Sequence, residues 1–104
     1  MTSIRIDVEG MTLEIDGHAG YAPVGQDIVC AAISTLAYTL AQNLALTLFD
    51  DEYTAEFEDG HAYIQAYPPD DTSADKCRGI FMTIANGLAM VEAQYSQYIQ
   101  FEGV

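Results

Sequence analysis

The hydrophobic pattern of this chain runs through two periods, twice, in the same order. Ser3 to Glu9 alternates strictly, with Ile4, Ile6 and Val8 on one face and Arg5, Asp7 and Glu9 on the other. A period of two is that of a half-buried strand. Thr12 to Asp16 repeats it with Leu13 and Ile15, and Gly10 between the two marks a tight hairpin. From Gln26 to about Phe49 the period becomes helical. Val29, Ile33, Leu36, Leu40 and Leu44 form one stripe, widened by Ala37, Ala41 and Ala45. Asp27 stands where an N-cap or first-turn acid belongs.

The second round begins at Tyr53. Tyr53 to Glu58 and His61 to Tyr67 flank Asp59-Gly60, a type I′ hairpin signal. Pro68-Pro69 stops the second strand, and the run DDTSAD offers several caps for another helix. That helix is predicted from Ser73 to Tyr98, with Cys77, Phe81, Ile84, Leu88, Val91 and Tyr95 on its apolar side. Gly79 and Gly87 weaken it but allow close packing against a neighbour. Ile99 to Val104 fits a short final strand. The order β-β-α-β-β-α(-β) predicts an α+β two-layer fold, an antiparallel sheet with two packed helices, over a single domain of residues 1–104.

Composition narrows the function. Half the residues are hydrophobic, enough for a core without disulfides or a structural metal. Sixteen acidic residues against three basic ones give a formal charge of −13. That charge opposes nucleic acid, whose phosphates would repel the surface, and anionic membranes for the same reason. It favours a basic protein or peptide partner. The two cysteines, Cys30 and Cys77, show no zinc-ligand spacing. The N-terminus has no apolar leader and the chain no evident membrane span, so the expected compartment is the cytoplasm, where thiols stay reduced.

The segment from Asp16 to Ser34, DGHAGYAPVGQDIVCAAIS, holds three of the eight glycines and sets His18 twelve positions ahead of Cys30. A thiol is a nucleophile as its thiolate, and two surroundings favour that form: a helix N-terminus and an imidazole that takes the proton. Cys30 lies in the first turn of the predicted helix. His18 lies in a loop long enough to fold back onto that turn, where free N–H groups would form an oxyanion hole. Ser34, one helical turn after Cys30, shares its face. An Asp27 carboxylate facing the sulfur would raise the thiol pKa, so Asp27 reads as a cap or as a partner for His18. Gly17, Gly20 and Gly25 give the loop its backbone freedom. A cysteine among Ile28, Val29, Ala31, Ala32 and Ile33 is also the pattern of a small buried hydrophobe, and spacing alone does not choose.

The residues themselves carry a resemblance. Gly17-His18-Ala19, then Gly25, then Asp27-Ile28-Val29-Cys30-Ala31-Ala32 and Ser34 closely resemble the ribosomal-processing cysteine proteases called Prp, whose hallmark is GHA followed by G-x-DIVCAAxS. The element order and length resemble that family as well. The resemblance implies that Cys30 is the nucleophile and His18 the general base, with Gly17, Asp27 and Ser34 on the family's supporting positions. It implies removal of a short N-terminal extension from a large-subunit ribosomal protein precursor, number twenty-seven of that subunit, after an aromatic pair. It further implies a homodimer, no metal or organic cofactor, and a mobile loop over the site at about Ala19 to Val24. Related proteases beside phage capsid genes make a capsid or scaffold precursor the alternative substrate. A non-catalytic acidic module that binds a basic segment through the same groove is the alternative outside enzymology.

Elsewhere the readings are structural. Cys77, flanked by Lys76 and Arg78, reads as a partly buried thiol, and His61 as an exposed strand residue after a turn. Asp50-Asp51-Glu52 and Asp70-Asp71 lack a calcium-loop pattern and read as solvated surface. Among seven tyrosines, Tyr21 in the glycine-rich loop is the one expected to touch substrate.

Overall fold

The structure is a computed structural model that describes residues 1–103. Its elements run β1 (Thr2–Asp7), β2 (Thr12–Asp16), α1 (Ile28–Thr47), a single 3-10 turn (Asp50–Glu52), β3 (Tyr53–Glu58), β4 (His61–Ala66), α2 (Asp71–Gln94) and β5 (Ile99–Gly103). The five strands form one sheet in the order β3-β4-β2-β1-β5. This is the predicted α+β fold with its two helices, and three of the four strand pairings are antiparallel. The exception is β5, which runs parallel to β1 with Ile4 opposite Phe101. It enters from a helix rather than from a tight turn, so nothing forces it to reverse direction.

Alternation builds the layer. Ile4, Ile15 and Ala62 stand in register across β1, β2 and β4, and Ile6, Leu13 and Ile64 do the same one step along. These six are buried in one core with Val29, Ile33, Ala37, Leu40 and Leu44 of α1 and Cys77, Phe81, Ile84 and Leu88 of α2. Each such aliphatic or aromatic side chain contributes about 1.5–3 kcal/mol by leaving water. α1 is long and apolar enough to span a membrane, but its apolar stripe packs in this core. The opposite sheet face carries Arg5, Glu14 and Tyr63 in register, and beside them Ser3, Asp16 and His61.

Several boundaries depart from the pattern. Ala45, expected on the stripe of α1, is exposed. α1 stops just short of the expected Phe49, ahead of the acids at 50–52; Leu48 closes it by donating its N–H to the Leu44 carbonyl at 2.8 Å. Those acids open the 3-10 turn, where Glu52 accepts the Phe49 N–H at 2.9 Å, an end at which negative charge is favourable. α2 starts behind Asp70, whose carboxylate accepts the Ser73 N–H at 2.8 Å, and it ends at Gln94, so Tyr95 and Tyr98 lie outside it. Gly87 packs as expected, since a Cβ there would come within 2.9 Å of Leu36, whereas Gly79 faces open space. The Asp59-Gly60 turn is not type I′: only Gly60 has a positive φ, 72°, and that type needs two.

Candidate active site

Between β2 and α1 the chain crosses from sheet to helix through residues 17–27, and Asp27 organises the crossing. Its Oδ1 accepts the N–H groups of Val29 and Cys30, both at 2.9 Å, and so caps α1. Its Oδ2 accepts the N–H groups of Tyr21 at 3.0 Å and Ala22 at 3.4 Å, which pulls the loop back over the helix start. Burial pushes this carboxyl up, but the N–H donors of Cys30, Ala22 and Tyr21 outweigh burial and hold it below its ordinary value. Asp27 is therefore the cap; the carboxylate beside His18 is that of Asp59.

The folded-back loop brings the expected pair to one place. The N–H of Ala19, the residue after His18, points at Cys30 Sγ at 3.3 Å. His18, Cys30 and Ser34 line one cleft of about 560 Å³, together with Gly17, Gly20 and Gly25. Ile15, Ile33, Ala37 and Ala62 supply apolar wall, and Glu58, Asp59 and Asp27 supply acidic groups. Tyr38 and Phe57, also in the cleft lining, stack with ring centroids 4.5 Å apart. Cys30 is half-buried, while the His18 ring is about half exposed with Nε2 3.4 Å from Asp59 Oδ1.

The electrostatics correct one expectation. Burial raises the Cys30 thiol above its ordinary pKa; the Ala19 N–H works against this, and the nearby Asp27 charge works with it. Burial first, and then the anionic cap close to the sulfur, thus disfavour the thiolate at this helix terminus. The amides of Val29 and Cys30 are also taken by Asp27, so they are not free for an oxyanion. The donor left facing the sulfur is the Ala19 N–H.

Comparison with known proteins now decides the family. The family model for Cysteine protease Prp matches residues 1–100. The chain belongs to the Prp family of cysteine proteases. The ribosomal processing cysteine protease Prp of Staphylococcus aureus is 29% identical over 101 residues, spanning 93% of this chain and 92% of its own. An essential ribosomal processing protease Prp from S. aureus, solved with a covalently linked product peptide, superposes with a TM-score of 0.79 at 28% identity over the whole of both chains. SMU.848 from Streptococcus mutans shares the fold, with a TM-score of 0.69 at 24% identity over 99% of this chain and 91% of its own.

Seen as a Prp protease, the chain still places some residues unexpectedly. Tyr21 does not line the cleft; it packs edge-on against Tyr95 and Tyr98, with centroid separations of 5.8 and 5.3 Å. Ala22 and Val24 carry the loop's side of the cleft instead. Cys77 is fully buried, and burial followed by the Glu52 charge raises its pKa, so Lys76 and Arg78 do not activate it. His61 was the miss. It is half-buried, and its Nδ1 lies 2.6 Å from Asp16 Oδ1. That hydrogen bond, against some desolvation and with help from the Asp16, Glu14 and Glu58 charges, raises its pKa. Nothing local in the sequence pairs positions 16 and 61; only the β2–β4 register does.

Proposed function

We propose that this Prp protease works through a Cys30–His18 dyad and removes a short N-terminal extension from a large-subunit ribosomal protein precursor. The observation that carries the reading is the Ala19 N–H on Cys30 Sγ, which sets the backbone beside His18 against the thiol in a cleft lined by both. Burial disfavours the thiolate, so in this reading the base takes the proton as the bond to carbon forms. His18 takes the thiol proton while Sγ bonds to the scissile carbonyl carbon, whose π electrons move to oxygen. The Ala19 N–H is placed to receive that oxyanion once the sulfur has moved onto carbon. Collapse breaks the C–N bond, and His18 returns the proton to the leaving amine. A water molecule, deprotonated by His18, then bonds to the thioester carbon; the C–S bond breaks, and the proton on His18 returns to the Cys30 sulfur.

The relatives support the substrate class, since those from S. aureus carry ribosomal processing in their names. The acidic groups along the cleft suit the basic peptide of a ribosomal precursor. The same reading includes a homodimer acting in the cytoplasm. Mass spectrometry of the precursor after incubation with wild type and with Cys30→Ala tests it. Cleavage after an aromatic pair by wild type alone is the expected result. Cleavage by both would remove Cys30 from the chemistry, and cleavage by neither would move the substrate to another class, with virion precursors next.

A further inference from the structure

The β2–β4 ladder does not stop where its strands stop. Its regular pairs run from Thr12 opposite Gln65 to Asp16 opposite His61. The next two positions in the same register are Gly17 with Gly60 and His18 with Asp59, and both are in contact. The Gly17 N–H donates to the Gly60 carbonyl at 2.7 Å. His18 Nε2 lies 3.4 Å from Asp59 Oδ1. One rung earlier, the Asp16 and His61 side chains close at 2.6 Å. Three successive rungs thus fasten the tip of the β3–β4 hairpin to the segment that carries His18.

The fit is close. Gly17 and Gly60 have φ of 84° and 72°, and a Cβ on Gly60 would stand 3.2 Å from His18 Nε2. The imidazole therefore lies over the bare backbone of the turn. Asp59 is almost fully exposed, so its pairing with the ring matters for direction more than for stability. At 3.4 Å the contact has ion-pair distance without hydrogen-bond alignment, and a small turn of the ring that brings Nε2–H onto this carboxylate keeps Nδ1 unprotonated and free to accept.

We propose that the tip of the β3–β4 hairpin is the positioning element for His18: Asp59 fixes the imidazole as its Nε2–H tautomer, and the Asp16–His61 pair holds the tip in register beneath it. The proposal rests on His18 being the base, and it makes Asp59, Asp16 and His61 positioning residues that act on the chemistry through the His18 ring.

Two readouts test it on the full chain, one of them independent of turnover. Long-range ¹H–¹⁵N spectra of the neutral His18 ring should show the Nε2–H tautomer in wild type and a mixture in Asp59→Ala. Asp59→Asn, which keeps an acceptor oxygen, should restore the single form. In precursor cleavage, Asp59→Ala and His61→Ala should lower kcat about ten- to a hundredfold, with KM within about twofold, and Asp59→Asn should recover most of the loss. Unchanged tautomer and kcat in Asp59→Ala and His61→Ala, with Cys30→Ala and His18→Ala inactive, would overturn the positioning role and leave the dyad standing. Full activity in His18→Ala would remove the dyad reading, and the tautomer would still decide whether Asp59 directs the ring.

Discussion

α1 and α2 begin on the same plan and end with different chemistry. Each starts behind an aspartate cap, Asp27 and Asp70, and each carries a cysteine within its first two turns. Cys30 faces a cleft and receives the Ala19 N–H; Cys77 is sealed in the core. The two helix starts differ in what precedes them. Residues 17–27 separate β2 from α1, while only residues 67–70 separate β4 from α2. A long glycine-rich segment can fold back onto its own helix, whereas a short one holding Pro68-Pro69 leads straight in. A thiol at a helix start is therefore not a site in itself; the loop returning to it makes one.

The sharpest break between the halves is chemical. Cys30→Ala should reduce precursor cleavage on the order of 10⁴-fold or more. Cys77→Ala should leave kcat within about twofold and cost about 1–2 kcal/mol of stability in a urea titration. Iodoacetamide should label native protein at Cys30 alone. Its rate should keep rising with pH beyond the ordinary thiol range, because burial and then the Asp27 charge, against the Ala19 N–H, raise that pKa. Equal labelling of Cys77 in the native protein would end the comparison.

The caps provide the next test. Asp27→Ala strips the acceptor from four N–H groups and should cost about 2 kcal/mol. Asp70→Ala, with a single such bond and an exposed carboxylate, should cost less. Both folded-state pKa values lie below the ordinary 3.8, Asp27 because its N–H donors overcome burial and Asp70 because of the Ser73 N–H. Each contribution is therefore complete above about pH 3.8 and is lost as pH falls through the lower folded value. Denaturation curves between neutral pH and pH 2 should show a shallower acid limb in Asp27→Asn than in wild type. The same variant removes an anion beside the sulfur, so Cys30 should alkylate faster near pH 7 even as stability falls.

Most of the fold was legible because it is written in local periods. Ile4, Ile6, Leu13 and Ile15 alternate, Val29 to Leu44 recurs at helical spacing, and these residues form the core. The pairing of β2 with β4 and the parallel β5 were not legible, since both depend on which strands meet across long stretches of chain. Within the site, the nearness of the His18 segment to Cys30 followed from loop length and from the resemblance to Prp. The raised thiol pKa follows only in part, because the sequence reads Asp27 as a cap or as a partner for His18, and nothing along the chain shows its Oδ2 holding the loop over the sulfur. Asp59 and His61 stayed hidden for the same reason as the register: they reach His18 and Asp16 across the sheet, not along the chain.

Glycine replacement gives the smallest effects and separates the halves by sign. Gly17 has φ 84°, and a Cβ there would lie 3.1 Å from the Met1 carbonyl oxygen. Gly17→Ala should therefore lose about 1–2 kcal/mol, and it should lower kcat by displacing the neighbouring His18. Gly79 sits in the interior of α2 with open space where a Cβ would go, so Gly79→Ala should gain about 0.5–1 kcal/mol with kcat unchanged. Gly87→Ala falls between, since the same helical gain is offset by pushing against Leu36. Thermal midpoints and kcat for the three variants decide the matter. A loss confined to Gly17 would locate the conformational cost in the returning loop that carries His18. A comparable loss at Gly79 would mean that α2 needs its flexibility too, and that the two halves differ less than their helix starts suggest.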